Sequence, residues 1–166
     1  SDGATNGKLF SNGVTSTVEV IPVNDAPVIT GLDANAANPF IENGTAVILD
    51  ADVTLSDPEL DGEDDWDGSI VTLERNGGAN AEDVFSSALF GGANIEIGGT
   101  VIGTFTNVGG SLVMTFDEDA TAAFVDQVMQ SIAYSNTNDN PPANVTIDIN
   151  VDDQNSNITG GGVAGA

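Results

Sequence analysis

The sequence contains no cysteine and no histidine. Without cysteine there is no disulfide to staple the fold and no thiolate to act as nucleophile or metal ligand. Without histidine, the usual general base and the usual zinc ligand are both missing. Positive charge is almost absent as well: Lys8 and Arg75 stand against 26 Asp and Glu, for a formal net charge of −24 over 166 residues. Binding phosphate needs Lys or Arg, so nucleic acid, anionic membranes and acidic substrates are disfavoured partners. Aromatic residues make up only 5%, so a core must be built from Val, Ile, Leu and Ala. No apolar run is long enough to span a bilayer, so no membrane insertion is expected, and no signal peptide is visible. Ser1-Asp2-Gly3 reads like the interior of a longer protein, a fragment or a processed product.

What is present points to sheet. Hydrophobic residues reach 40%, and Val and Ile, stiff at χ1, pack well on pleated surfaces. Twenty glycines supply many turns. So much like charge on a compact domain repels itself. Bound divalent cations would relieve that repulsion; an acidic, soluble surface of the halophilic kind is the simpler alternative.

Residues 14–23, Val-Thr-Ser-Thr-Val-Glu-Val-Ile-Pro-Val, alternate and read as a strand, followed by the turn-prone linker Asn24-Asp25-Ala26-Pro27. Further strands are expected at 28–30, 46–49, 53–55, 69–74, 93–97, 100–107, 111–117, 132–135 and 145–151. Gly98-Gly99 and Gly109-Gly110 sit between successive strands as hairpin turns. Residues 56–68 read as an acidic loop and 76–92 as irregular. Ala120, Ala123, Phe124, Val128 and Met129 fall at helical spacing within 119–131, with Asp119 as the expected N-cap. Short strands at close spacing with one helix, placed at an open end, imply a two-sheet sandwich. The chain divides into residues 1–23, carrying the terminal strand of a preceding unit, a sandwich over 24–153, and a Gly-rich tail over 154–166.

Five motifs occur in order: Val-Asn-Asp-Ala-Pro-Val (23–28), Glu42-Asn43-Gly44-Thr45, Leu55-Ser56-Asp57-Pro58-Glu59, Gln130 to Asn136, and Pro141 to Ile147. Together they resemble the cadherin-like tandem repeats of large bacterial adhesins and matrix proteins, over roughly residues 20–153. The resemblance implies an all-β, immunoglobulin/cadherin-like antiparallel β-sandwich with one short helix. It implies an extracellular or bacterial cell-surface location, calcium (Ca2+) at repeat junctions, a role in adhesion or surface assembly, and no catalysis. Carried over by motif, Glu42 matches an early-loop glutamate, and Asp57 and Glu59 an acidic pair. Asn24 and Asp25 match the linker, and Asp152 and Asp153 the acidic end of the last paired strand. The linker departs from the vertebrate cadherin pattern, with Asn-Asp-Ala-Pro in place of two spaced Asn-Asp pairs, which leaves the ion count open.

Calcium takes six to eight oxygen ligands and needs neither His nor Cys, so this composition suits it. The plain alternative is that Asp25, Asp57 and Glu59 only form turns and caps. Asp61, Glu63, Asp64, Asp65 and Asp67 form a second cluster around Trp66, with Asp61, Asp65 and Asp67 as the candidate ligands. Its order is not that of an EF-hand, and it reads equally well as a solvated loop. Asp117, Glu118 and Asp119 are expected to end a strand and cap the helix. Carboxylate pairs can hydrolyse glycosides, yet nothing marks two of these as special, and an enzyme is not expected. A ligand- or glycan-binding surface module is the alternative to a calcium-stiffened structural repeat. The expected partners are neighbouring copies or repeats, head to tail, with strand 14–23 filling the sheet edge of a neighbour as one route to a filament. The same strand could instead return to its own chain, or the span could cut a tandem array at an arbitrary point.

Overall fold

The computed structural model describes residues 13–18, 20, 23–33 and 39–154. Alternation sets most of the strands. In β4 (Ile70–Arg75), Val71 and Leu73 are fully buried while Ile70, Thr72 and Glu74 face the other way. Each such buried Val or Leu contributes roughly 1.5–3 kcal/mol of transfer free energy. The same pattern runs through β9 (Ser111–Phe116), whose Leu112, Met114 and Phe116 are buried.

The remaining strands are β1 (Val28–Thr30), β2 (Val47–Ile48), β3 (Thr54–Ser56), β5 (Asp83–Ser86), β6 (Phe90–Gly91), β7 (Asn94–Ile97), β8 (Thr100–Val108), β10 (Ala133–Asn136) and β11 (Ile147–Asp152). Two helices, α1 (Pro58–Glu63) and α2 (Ala122–Ser131), complete the described elements. Every strand pairing is antiparallel. A six-stranded sheet runs β11-β4-β9-β8-β7-β6, a three-stranded sheet β2-β10-β5, and β1 pairs with β3. The protein is thus an all-β sandwich with a short helix. One core joins the layers: Val71, Leu73, Ile95, Ile102 and Met114 from the large sheet, Phe85 and Tyr134 from the small one, and Val125, Val128 and Met129 from α2.

Both glycine pairs make hairpins, β7–β8 at Gly98-Gly99 and β8–β9 at Gly109-Gly110, with positive φ at all four residues, as a two-residue I′ connection requires. Gly103 in β8 has φ +156, and a Cβ there would collide with the Thr115 carbonyl. The β7–β8 register shifts opposite it, between Ile95 and Glu96.

The structure departs from the sequence reading in four places. The acidic loop 56–68 contains α1, because Asp57 caps it and Pro58 stands in its first turn, where a missing N–H costs nothing. The stretch 76–92 contains β5 and β6, whose shortness and polar residues hid them. Helix α2 starts at Ala122 with Thr121, not Asp119, as its N-cap, and the Thr121 hydroxyl accepts from Phe124 N at 3.3 Å. It lies against β3: Asp126 Oδ1 accepts from Leu55 N (2.8 Å), and Gln130 Nε2 donates to the Val53 carbonyl (3.0 Å). Finally, the described residues of 14–23 form no strand; Val14, Val18, Val20 and Val23 are exposed. Alternation there provides an apolar face, but among the described residues no strand lies alongside to complete a ladder. The proposed tail, beyond Gln154, lies outside the described residues.

Among the described residues, no helix is long and apolar enough to cross a membrane.

Candidate metal centre

The site is built where the linker meets the C-terminal end of β11. Asn24 Nδ2 donates to Asp153 Oδ2 at 2.8 Å, and the backbone N–H of Asp25 donates to Glu59 Oε2 at 3.2 Å. Both linker residues are therefore stitched to acidic side chains far away in sequence. Glu59 is placed by the first turn of α1, and Asp153 by the residue after β11.

Asp57 lies at the centre of this arrangement. It is 0% exposed. Its Oδ1 accepts from Glu59 N and Leu60 N, both at 2.9 Å, which makes it the N-cap of α1. Its own N–H donates to Asp61 Oδ2 at 3.0 Å. Its other oxygen, Oδ2, is buried and has no hydrogen-bond partner. Burial pushes the Asp57 carboxyl above its ordinary value, and the negative charges of Glu59 and Asp153 push the same way; the two backbone N–H bonds oppose this without cancelling it. A buried oxygen left without a partner costs about 1–3 kcal/mol, and native structures rarely leave one so.

The other candidates are placed differently. Asp61 does not point into an open loop: Oδ1 accepts from Trp66 Nε1 at 3.1 Å while Oδ2 serves Asp57 N. Asp65 Oδ1 accepts from Asp67 N at 3.0 Å in a local Asx turn, and Asp64 Oδ1 accepts from Ala122 N at 3.2 Å. Trp66, around which these carboxylates gather in sequence, is fully buried in the core. Asp152 is exposed and holds Gln154 N at 2.9 Å. Glu42 lies in the exposed turn 41–44. The structure thus gathers Asn24, Asp25, Asp57, Glu59 and Asp153, joins Asp61 to them through Asp57, and gives Asp65, Asp67, Asp152 and Glu42 no hydrogen bond into that group. Among the described residues, no set of three or more carboxylates closes into a ready-made ion cage.

A second buried aspartate went unrecognised in the sequence. Asp83, 2% exposed, receives Arg75 Nε on Oδ2 at 2.7 Å, and Tyr134 OH and Asn136 Nδ2 on Oδ1 at 2.7 and 2.9 Å. Burial alone would raise this carboxyl; the Arg75 guanidinium, with Tyr134 and Asn136, outweighs it and holds Asp83 below the ordinary value. The usable signals were the only arginine, at the end of an alternating strand, and Tyr134 and Asn136 two apart on one strand face.

Compared with protein-family models, with curated proteins and with solved structures, the chain matches none.

Proposed function

We propose that the chain is a non-enzymatic, calcium-binding structural repeat of an extracellular surface protein, in which an ion held at Asp57 locks the linker Asn24–Asp25 onto the sandwich. The observation that carries this reading is the buried, partnerless Oδ2 of Asp57, beside the negative charges of Glu59 and Asp153. A hard divalent cation is the partner this chemistry asks for. It takes carboxylate and carbonyl oxygens at about 2.3–2.6 Å and tolerates irregular geometry. Asp57, Glu59, Asp153 and the Asn24 amide would supply oxygens, and modest side-chain movement would bring them inward. The ion would remove the cost of burying Asp57 charged and turn mutual repulsion into a clamp on the linker. The cell-surface setting rests on the motif resemblance. A ligand- or glycan-binding module, the alternative reading, draws no support from the only tryptophan, which is buried and offers no ring to a sugar.

The test is thermal unfolding with calcium and with chelator, alongside calcium titration calorimetry. Calcium is expected to raise the melting temperature, by an amount equivalent to about 2.7 kcal/mol at a hundredfold excess over Kd. Asp57→Asn keeps an N-capping side chain and is expected to fold yet lose the calcium response. Identical melting of the wild type in calcium and chelator, with no heat of binding, would remove the proposal.

A further inference from the structure

The six-stranded sheet ends on one side at β11, and among the described residues no strand lies beyond it. At six residues it is the longest edge strand among the described residues: the opposite edge, β6, has two, as does β2. The outer edge of β5 is partly covered, since Asn107 Nδ2 donates to the Phe85 carbonyl. An edge strand carries alternate N–H and C=O groups pointing outward, a template for another strand. Ile147, Ile149 and Val151 pack against the core from this edge and remain only half-buried, so the core itself is open along β11.

The same chain carries a segment with the complementary pattern. Val14, Val18 and Val20 are 95%, 79% and 81% exposed, and in an extended conformation they would share one face, with Thr15 and Thr17 on the other. Among the described residues nothing covers those valines, and the segment is rich in β-branched residues.

We propose that the outer edge of β11 accepts residues 14–20 of a second copy of this chain as an added antiparallel strand. Polarity favours a second copy over the chain's own segment. Asn24 sits beside Asp153, at the C-terminal end of β11. Laid back along its own β11, the segment would run toward that same end and pair parallel, the weaker arrangement, in a sandwich whose other pairings are all antiparallel. Supplied by another copy it runs antiparallel, with Val18 and Val20 on the core side beside Ile147 and Ile149. The donor's own linker then emerges at the Ile147 end of the acceptor. Each copy thereby offers a segment at one pole and accepts one along its edge, a head-to-tail contact, which propagates as a filament wherever the rotation between copies does not close it into a ring. This extends the reading above from a single repeat to the contact between copies, and it stands without the ion.

The experiment uses the 166-residue chain in chelator at physiological salt, where screening acts over about 8 Å and subdues repulsion between acidic copies. Light scattering after size exclusion is expected to show mass rising with concentration in multiples of the monomer. Amide exchange is expected to slow at Ile147–Asp152 in the oligomers. A peptide of residues 13–23 should cap the edge and dissolve them. Val18→Pro removes a ladder N–H without changing charge; because Val18 is exposed, that variant should keep the monomer's melting temperature and lose the oligomers. A chain that stays monomeric at every concentration, oligomers that survive Val18→Pro, or protection appearing at β2, β5 or β6 instead would each overturn the proposal. Calcium binding is read separately, by calorimetry, so either reading can fail alone.

Discussion

Asp57 and Asp83 are buried to the same depth, 0% and 2% exposed, and the protein treats them in opposite ways. Asp83 receives the chain's only arginine, a tyrosine hydroxyl and an asparagine amide. Asp57 receives two backbone N–H groups on one oxygen and nothing on the other, with two more carboxylates nearby. Burying a charge is tolerable only when it is paired and hydrogen-bonded. Asp83 meets that condition from within the chain and stitches β4, β5 and β10 together. Asp57 does not: its Oδ2 has no hydrogen-bond partner among the described residues. One aspartate is satisfied within the fold, and the other is not.

Three changes would break or sharpen this contrast. The largest effect is expected from Arg75→Met, which leaves Asp83 buried with only neutral partners. Chemical denaturation should show a loss of about 3 kcal/mol, at the low end for a broken buried pair because Arg75 keeps some solvent contact. A loss within error of zero would mean that Tyr134 and Asn136 alone satisfy Asp83.

The next separates the two carboxyls by pH. Asp83 is held below its ordinary value of 3.8, so its contribution is complete above that value and is lost as pH falls through the lowered folded one. Asp57 is raised above the same 3.8, so in chelator its penalty is present above the folded value and is relieved as pH falls toward 3.8. Acidification in chelator should therefore first relieve Asp57 and then undo Asp83. Asp57→Asn should flatten the first phase and leave the second. With calcium bound the first phase should reverse sign, because the proton and the ion compete for the same oxygens.

The smallest is Glu59→Gln. In chelator it removes a like charge beside Asp57 and should stabilise by less than about 1 kcal/mol; in calcium it should weaken binding. A variant destabilised equally in both conditions would assign Glu59 a purely structural part.

The sandwich was legible because β4, β9 and β11 alternate over six residues and have turns at their ends. Helix α1 escaped although its signals were present: Asp57 then Pro58 is a helix start, but the acidic run after it looks like a solvated loop. Strand β5 escaped because Asp83 faces inward, and only the fold reveals the arginine waiting for it. For residues 14–23, alternation suggests a strand, but alternation alone does not supply a partner edge, and the described residues there form no strand. At the candidate metal centre, motif order named Asp57, Glu59, Asn24, Asp25 and Asp153; the loop reading of Asp61, Asp65 and Asp67 missed that Trp66 turns inward and takes Asp61 with it.

The two stitches between linker and sandwich also define how the molecule would bear a load. Tension arriving through the segment before Asn24 falls first on the part-buried Asn24–Asp153 bond and the exposed Asp25–Glu59 bond. Behind them stands β1, held to β3 by only three residue pairs. A sandwich strung into a fibre would therefore yield at this corner before its large sheet felt any strain. A clasp placed at Asp57 would reinforce the sandwich at that corner.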